Sequence, residues 1–78
     1  MKIRLYTTSS CPFCIAAKNL LNDRGLSFEE IDLSDDIELR LKISTQYNWR
    51  TVPMIIMDDN FVGGFDELNA LDKEEGQI

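Results

Sequence analysis

The sequence predicts an α/β fold: a four-stranded mixed sheet with three helices, in the order β-α-β-α-β-β-α. Three observations carry the prediction. Short runs with strand character alternate with helix-patterned segments from the first residues onward. A proline follows the first cysteine where the first helical segment begins, and Gly25 stands where that segment ends. Near the far end, Asp58-Asp59-Asn60 separates two short apolar runs, which is hairpin chemistry.

Ile3–Tyr6 reads as the first strand, apolar with Arg4 interleaved. The polar loop Thr7-Thr8-Ser9-Ser10 leads to a helix starting near Cys11, with Pro12 in its first turn. Proline is tolerated there because the missing N–H has no helical partner. Phe13, Ala17, Leu20 and Leu21 follow helical spacing, and Gly25 stops the helix. Phe28–Asp32 is the second strand. Ile37, Leu39, Leu41 and Ile43 alternate with charged residues, a period-2 signal. Against it, Leu, Glu, Arg and Lys favour helix. Asp35 and Asp36 bring negative charge to its start, and Asp36/Arg40 and Glu38/Lys42 are spaced i,i+4 with the acid first. The balance predicts a helix over Asp36–Tyr47. Met54–Met57 is an apolar strand introduced by Pro53, and Phe61–Val62 pairs with it as a hairpin. Gly63-Gly64 breaks the chain, and Asp66 is read as the N-cap of a last helix running through Leu68, Leu71 and Lys73. The first βαβ unit should be parallel and right-handed.

The chain has 78 residues, 44% of them hydrophobic, which suits one domain over residues 1–78 with a modest core. There is no histidine, so imidazole catalysis and His metal ligation are excluded. With 8 basic against 14 acidic residues the net charge is −6, which argues against a nucleic-acid partner. No apolar run reaches membrane-spanning length, and the N-terminal residues lack the apolar region of a secretory signal. Secreted domains of this size are rich in disulfides, so the expected location is the cytoplasm.

The chemistry concentrates at Cys11-Pro12-Phe13-Cys14. Two cysteines this close cannot staple a fold, because the loop they close scarcely restricts the unfolded chain. A zinc site needs about four ligands, and two thiols without histidine fall short, so no metal is expected. A C-x-x-C where a strand passes into a helix is a thioredoxin-like redox motif. The thiolate is the nucleophile, and the positive end of the helix favours it at Cys11 by about 0.3–1 kcal/mol. Further stabilisation requires hydrogen bonds to sulfur. Pro12 has no N–H, so the donors should be the backbone of Phe13 and Cys14. Cys11 is read as the exposed nucleophile and Cys14, a turn further in, as the resolving thiol.

The whole chain resembles a bacterial glutaredoxin. The features that carry the resemblance are Tyr6-Thr7 leading to Cys11-Pro12-Phe13-Cys14, Thr51-Val52-Pro53, Phe61-Val62-Gly63-Gly64, and Asp66-Glu67-Leu68. The resemblance implies a thioredoxin fold and glutathione-dependent thiol–disulfide exchange, with glutathione as co-substrate. It implies a cis Val52–Pro53 bond facing Cys11, which leaves the Val52 N–H and C=O available for β-type pairing with a peptide-like substrate. It places glutathione against Phe13, Thr51, Val52, Pro53, Gly64, Phe65, Asp66 and Glu67, with the γ-glutamyl carboxylate on the N–H groups that open the last helix. This sequence departs from the family pattern at Thr8, where a basic residue is usual, and Arg50 becomes the main candidate for the glycyl carboxylate. Lys18 is the other nearby cation, more simply read as a solvated helix residue. Glu67 stands where Asp is usual, and Phe13 replaces Tyr, keeping the ring without the hydroxyl. Trp49 either packs under the Thr-Val-Pro loop or lines the cleft.

The expected activity is reduction of protein disulfides and protein–glutathione mixed disulfides by a monomer. Two alternatives stand beside it. One is a redoxin that supplies electrons to ribonucleotide reductase and is recharged by thioredoxin reductase; the double glycine and Asp66 favour glutathione instead. The other is a dimeric carrier of a [2Fe–2S] cluster held by Cys11 and glutathione, which the stiffening Pro12 disfavours.

Overall fold

A computed structural model describes residues 2–75. The elements are β1 (Ile3–Thr7), α1 (Pro12–Asp23), β2 (Glu29–Asp32), α2 (Ile37–Tyr47), β3 (Met54–Met57), β4 (Asn60–Gly63) and α3 (Phe65–Glu75). The order is the one the sequence predicts. One mixed sheet runs β2-β1-β3-β4. β1 and β2 are parallel, with Tyr6 opposite Ile31; β1 and β3 are antiparallel, with Tyr6 opposite Met54; β3 and β4 are antiparallel, with a register irregularity at Ile55/Ile56. No helix among the described residues is long and apolar enough to cross a membrane.

Strand alternation divides the apolar residues between two faces. Ile3, Leu5, Ile55 and Met57 face Ala17 and Leu21 of α1 and Leu68 of α3, while Tyr6, Met54 and Ile56 face Leu33 and Ile43 on the α2 side. All four residues of β3 are buried because it is an inner strand covered on both faces.

The helix ends explain where the site falls. α1 closes with a Schellman arrangement: Gly25 takes φ +70°, its N–H reaches the Asn22 carbonyl at 3.0 Å, and Leu26 N–H reaches the Leu21 carbonyl at 3.0 Å. α2 begins at Ile37 rather than Asp36, because the Asp36 carboxylate caps it by accepting the Leu39 N–H at 3.0 Å. That bond occupies the carboxylate expected to pair with Arg40, and no Asp36–Arg40 or Glu38–Lys42 ion pair forms among the described residues. The period-2 pattern resolves as two i,i+4 pairs on one helix: Leu39 and Ile43 turn inward, and Ile37 and Leu41 turn outward. α2 ends on Asn48 in the left-handed region (φ 51°), and Trp49 N–H closes back on the Ser44 carbonyl at 3.0 Å.

The hairpin turn has positive φ at both Asp58 and Asp59, as a type I′ turn requires. α3 corrects one expectation. Its first residue is Phe65, and Gly64 is the cap, since the Gly64 carbonyl accepts the Leu68 N–H at 3.1 Å. Asp66 is therefore the second helical residue, not the N-cap. Glu67, at the third position, reaches back to the Gly64 N–H at 2.8 Å, which is the acidic half of a capping box.

Candidate active site

Cys11 is the N-cap of α1, in extended conformation (φ −119°), so its side chain stands over the first turn. Its Sγ accepts the Cys14 N–H at 3.1 Å, and as a thiol it donates to the Val52 carbonyl at 3.4 Å. Of the two backbone donors expected, Cys14 makes the bond to sulfur, and no bond joins Phe13 N–H to it. Cys11 is also less open than expected: it is 8% exposed, because the Val52 strand-leading segment lies against it. Cys14 is 1% exposed, so the order of accessibility holds, with Cys11 the outer thiol. Both cysteines are free. Burial, reinforced by the hydrogen bond to Cys11, pushes the Cys14 thiol up to about 12.

The Val52–Pro53 peptide is cis, as the resemblance implies. The Val52 carbonyl is not free, however, since the Cys11 thiol occupies it.

Beside Cys11 lies a cleft of about 260 Å³. Thr51, Val52 and Pro53 form one wall, and Gly64, Phe65, Asp66 and Glu67 form the other; Phe13 and Trp49 complete it. Eight of the expected glutathione contacts are thus gathered around one space. Phe13 is 60% exposed and its ring lies 6.2 Å from that of Phe65, so the two aromatics frame the opening. Trp49 answers the question left by the sequence: it lines the cleft and packs edge-on against Phe61 (5.4 Å), which itself stacks on Tyr47 (4.7 Å).

The structure does not bring Arg50 into this lining. Arg50 follows Trp49 and opens onto a neighbouring groove along α2. Lys18 is also committed elsewhere: its ammonium pairs with Glu30 at 2.9 Å. That pair and the Thr7 hydroxyl (2.8 Å) hold the Glu30 carboxyl below its ordinary range. Inside the cleft the positive potential comes from the backbone. The N–H groups of Phe65, Asp66 and Glu67 have no helical partner, while the Gly64 N–H is already taken by the Glu67 carboxylate. Glu67 therefore serves first as a cap. Its reach, one methylene longer than Asp, brings its chain close to Gly63, where an added Cβ would stand 2.8 Å from Glu67 Cγ.

A C-x-x-C at the N-terminus of a helix, facing a cis-proline segment on a β-α-β-α-β-β-α frame, defines a thioredoxin-fold thiol–disulfide oxidoreductase. The comparisons narrow the class. A family model described as glutaredoxin matches residues 3–62. A glutaredoxin of Pseudomonas aeruginosa is 42% identical over 69 residues, 88% of this chain and 82% of its own. The crystal structure of a wheat glutaredoxin superposes with a TM-score of 0.89 at 32% identity, covering 96% of this chain and 72% of its own. A buckwheat glutaredoxin–glutathione complex shares the fold, with a TM-score of 0.86 at 19% identity over 96% of this chain and 70% of its own. The chain belongs to the glutaredoxin family.

Proposed function

We propose that the cleft binds glutathione and that the chain is a glutathione-dependent oxidoreductase acting on protein–glutathione mixed disulfides and protein disulfides. The observation that carries this reading is the placement of Cys11 Sγ against Val52, at the edge of a cleft whose far wall is the N-terminus of α3. A tripeptide laid along Val52 would direct its γ-glutamyl carboxylate to the Phe65 and Asp66 N–H groups. Its glycyl end would run toward Trp49, beyond which Arg50 opens. The likeness in fold to a glutaredoxin solved with glutathione supports the same reading.

The Cys11 thiolate attacks the glutathione sulfur of a mixed disulfide. The S–S bond to the protein breaks, and the protein leaves as a thiol after taking a proton. A second glutathione thiolate then attacks the sulfur held on Cys11, releasing glutathione disulfide and the Cys11 thiolate. For a protein disulfide, the Cys11 thiolate attacks one sulfur and forms a mixed disulfide; Cys14, giving up its proton, then attacks Cys11 Sγ, an internal Cys11–Cys14 disulfide forms, the substrate leaves as a dithiol, and two glutathiones reduce the internal disulfide and leave as glutathione disulfide. Cys14 is protonated at neutral pH by burial and by Cys11. Once Cys11 is in a mixed disulfide its thiolate charge is gone, and burial alone still restrains Cys14.

The test is an NADPH-coupled assay with glutathione and glutathione reductase, set against thioredoxin reductase alone. The glutathione arm should turn over, and Cys14→Ser should keep deglutathionylation while losing most protein-disulfide reduction. Cys11→Ser should lose both. Turnover with thioredoxin reductase alone would instead support the electron-donor reading. Equal loss of deglutathionylation in the two variants would remove the division of labour.

A further inference from the structure

The inner thiol of the motif has a charged cluster at its back, on the side away from the cleft. Cys14 is buried, and burial is the first cause that holds its proton on. Two groups act the other way: the Thr8 backbone, and Lys18 on the same helix. Lys18 follows Cys14 at i,i+4, so the two share a face of α1. A helical side chain leans toward the N-terminus, which carries Lys18 back over the turn that holds Cys14. The sheet then fixes its ammonium. Leu5 faces α1 and stands opposite Glu30 in the parallel register, so Glu30 rises from β2 on the side that α1 covers. Thr7, buried at the end of β1, lies on that side as well. Glu30 Oε2 accepts both the Thr7 hydroxyl at 2.8 Å and the Lys18 ammonium at 2.9 Å. Asp32, opposite Thr7, also lies in the field of Lys18. Arg4 and Arg24 are paired with Asp59 and Asp72, Arg24 at the far end of α1. Lys18 is therefore the cation that acts on Cys14.

We propose that Lys18 is a positioning residue for the two-thiol branch: its ammonium, anchored behind Cys14 by Glu30 and Thr7, favours the Cys14 thiolate that resolves a mixed disulfide. Lys18 has this role only if Cys14 is the resolving thiol, so the proposal rests on that reading and not on glutathione. In the resolving step Cys14 gives up its proton and its sulfur attacks Cys11 Sγ. The Cys11–Cys14 bond forms and the bond from Cys11 to the substrate breaks. The substrate sulfur leaves with the electron pair and takes up a proton. With Cys11 held in a disulfide its own charge no longer opposes this ionisation. Burial still does, and a nearby cation offsets part of it. Lys18 keeps its proton throughout and acts by its charge. Glu30 has two opposed effects: it fixes the ammonium, and its negative charge cancels part of the field that reaches Cys14. An ion pair that only tied α1 to β2 would make the loss of either partner equivalent. The electrostatic role makes the two losses opposite in sign, because removing Lys18 takes the favourable charge away and neutralising Glu30 unmasks it.

The experiment follows the two thiols separately in one stopped-flow trace. The reduced protein is mixed with excess dithiobis(nitrobenzoate); Cys11 attack releases one coloured thiolate, and Cys14 attack on Cys11 Sγ then releases the second. Cys14→Ser should show the first release alone, which assigns the phases. Lys18→Met keeps the aliphatic stem and removes the charge. A thiol whose ionisation moves up by one pH unit loses about tenfold of its thiolate at neutral pH, and the stronger nucleophile returns about threefold. The second release in Lys18→Met should therefore slow about three- to fourfold, with the first changed by less than about twofold. Lys18→Arg should stay within about twofold of the unmutated protein in both phases. Glu30→Gln, whose amide oxygen still accepts from both donors, should speed the second release about twofold. The Lys18 side chain is 32% exposed, so about 0.5 M salt should narrow the gap between Lys18→Met and the unmutated protein. These side chains are half-exposed, and circular dichroism should show the fold retained. Slowing of the second release by both Lys18→Met and Glu30→Gln overturns the proposal in favour of a structural tie. So does a second release that Lys18→Met leaves unchanged, or one that Lys18→Arg slows as much as Lys18→Met. A second release kept by Cys14→Ser would remove Cys14 as the resolving thiol, and this role with it. A failure of the glutathione reading appears separately, as absent turnover in the coupled assay with both releases intact.

Discussion

Cys11 and Cys14 share one helical turn, yet their surroundings differ enough to divide the chemistry. Cys11 has a backbone donor and a carbonyl acceptor within reach of its sulfur; Cys14 has burial and a neighbouring sulfur. A thiol whose ionisation lies higher in the folded than in the unfolded protein keeps its full contribution below the ordinary value of 9.0 and loses it as pH rises toward about 12. Stability should therefore fall through that window, and Cys14→Ser should flatten the fall. Urea unfolding of the two proteins at several pH values measures the difference. Iodoacetamide at neutral pH should label one cysteine per chain, located at Cys11 by peptide mapping. Arg50 is a second test at this scale. A hydrogen bond to a charged group contributes about 1.5–3 kcal/mol when enclosed, and less where solvent screens it. Because Arg50 opens onto a groove outside the cleft, Arg50→Ala should raise KM for a small glutathione mixed disulfide about three- to tenfold, with kcat nearly unchanged. An unchanged KM would leave the α3 backbone as the anion site.

The elements place these residues through their ends rather than their middles. Cys11 is presented by the start of α1, Trp49 by the left-handed exit from α2, and the unpartnered N–H groups that face the cleft by the start of α3. The β4–α3 junction is the most constrained of these. Gly63 has φ +128°, a conformation open to glycine, and a Cβ there would also meet the Glu67 side chain. Gly63→Ala should lose about 1–3 kcal/mol of stability, read as a lower urea midpoint. Adding Glu67→Ala relieves the contact and leaves the backbone strain, so the double variant should recover part of the loss at most. Full recovery would show that the backbone tolerates the conformation.

At the scale of the whole molecule, a small core makes each large buried side chain expensive to lose. Leu68 is fully buried and joins α3 to the sheet and α1 in one cluster. Leu68→Ala should cost about 2–5 kcal/mol. Against a total stability of roughly 5–15 kcal/mol, that is a large share, visible as a fall of many degrees in Tm. The Arg24–Asp72 pair, two bonds of 2.7 Å, also ties the end of α1 to α3. It holds the Asp72 carboxyl below its ordinary range and raises Arg24, but it lies at the surface, with the Arg24 side chain 43% exposed, and only supplements the apolar contact.

Some of this was legible in the amino-acid sequence because it depends on neighbours in the chain. Pro12 and Gly25 bracket α1, Asp58-Asp59 turns the hairpin, and Cys11 meets a helix start, all through local backbone chemistry. The Thr51-Val52-Pro53 and Gly63-Gly64 segments were readable as the walls of one site through the family pattern. What needed the tertiary structure is what depends on residues distant in sequence. Val52 lies 41 positions from Cys11, and only folding sets its carbonyl against that sulfur and lowers the exposure of Cys11. Lys18 read as a solvated helix residue in sequence, and the fold brings Glu30 of β2, 12 positions away, to its ammonium at 2.9 Å. Asp66 had the residue type of a cap, but Gly64 holds the position: its carbonyl accepts the Leu68 N–H and its N–H donates to the Glu67 carboxylate. Arg50 adjoins Thr51 in the chain, yet the left-handed turn at Asn48 and the packing of Trp49 on Phe61 send it to the far side of the indole. Local preference set each element and its ends; long-range packing decided which side chains share a space and which are already engaged.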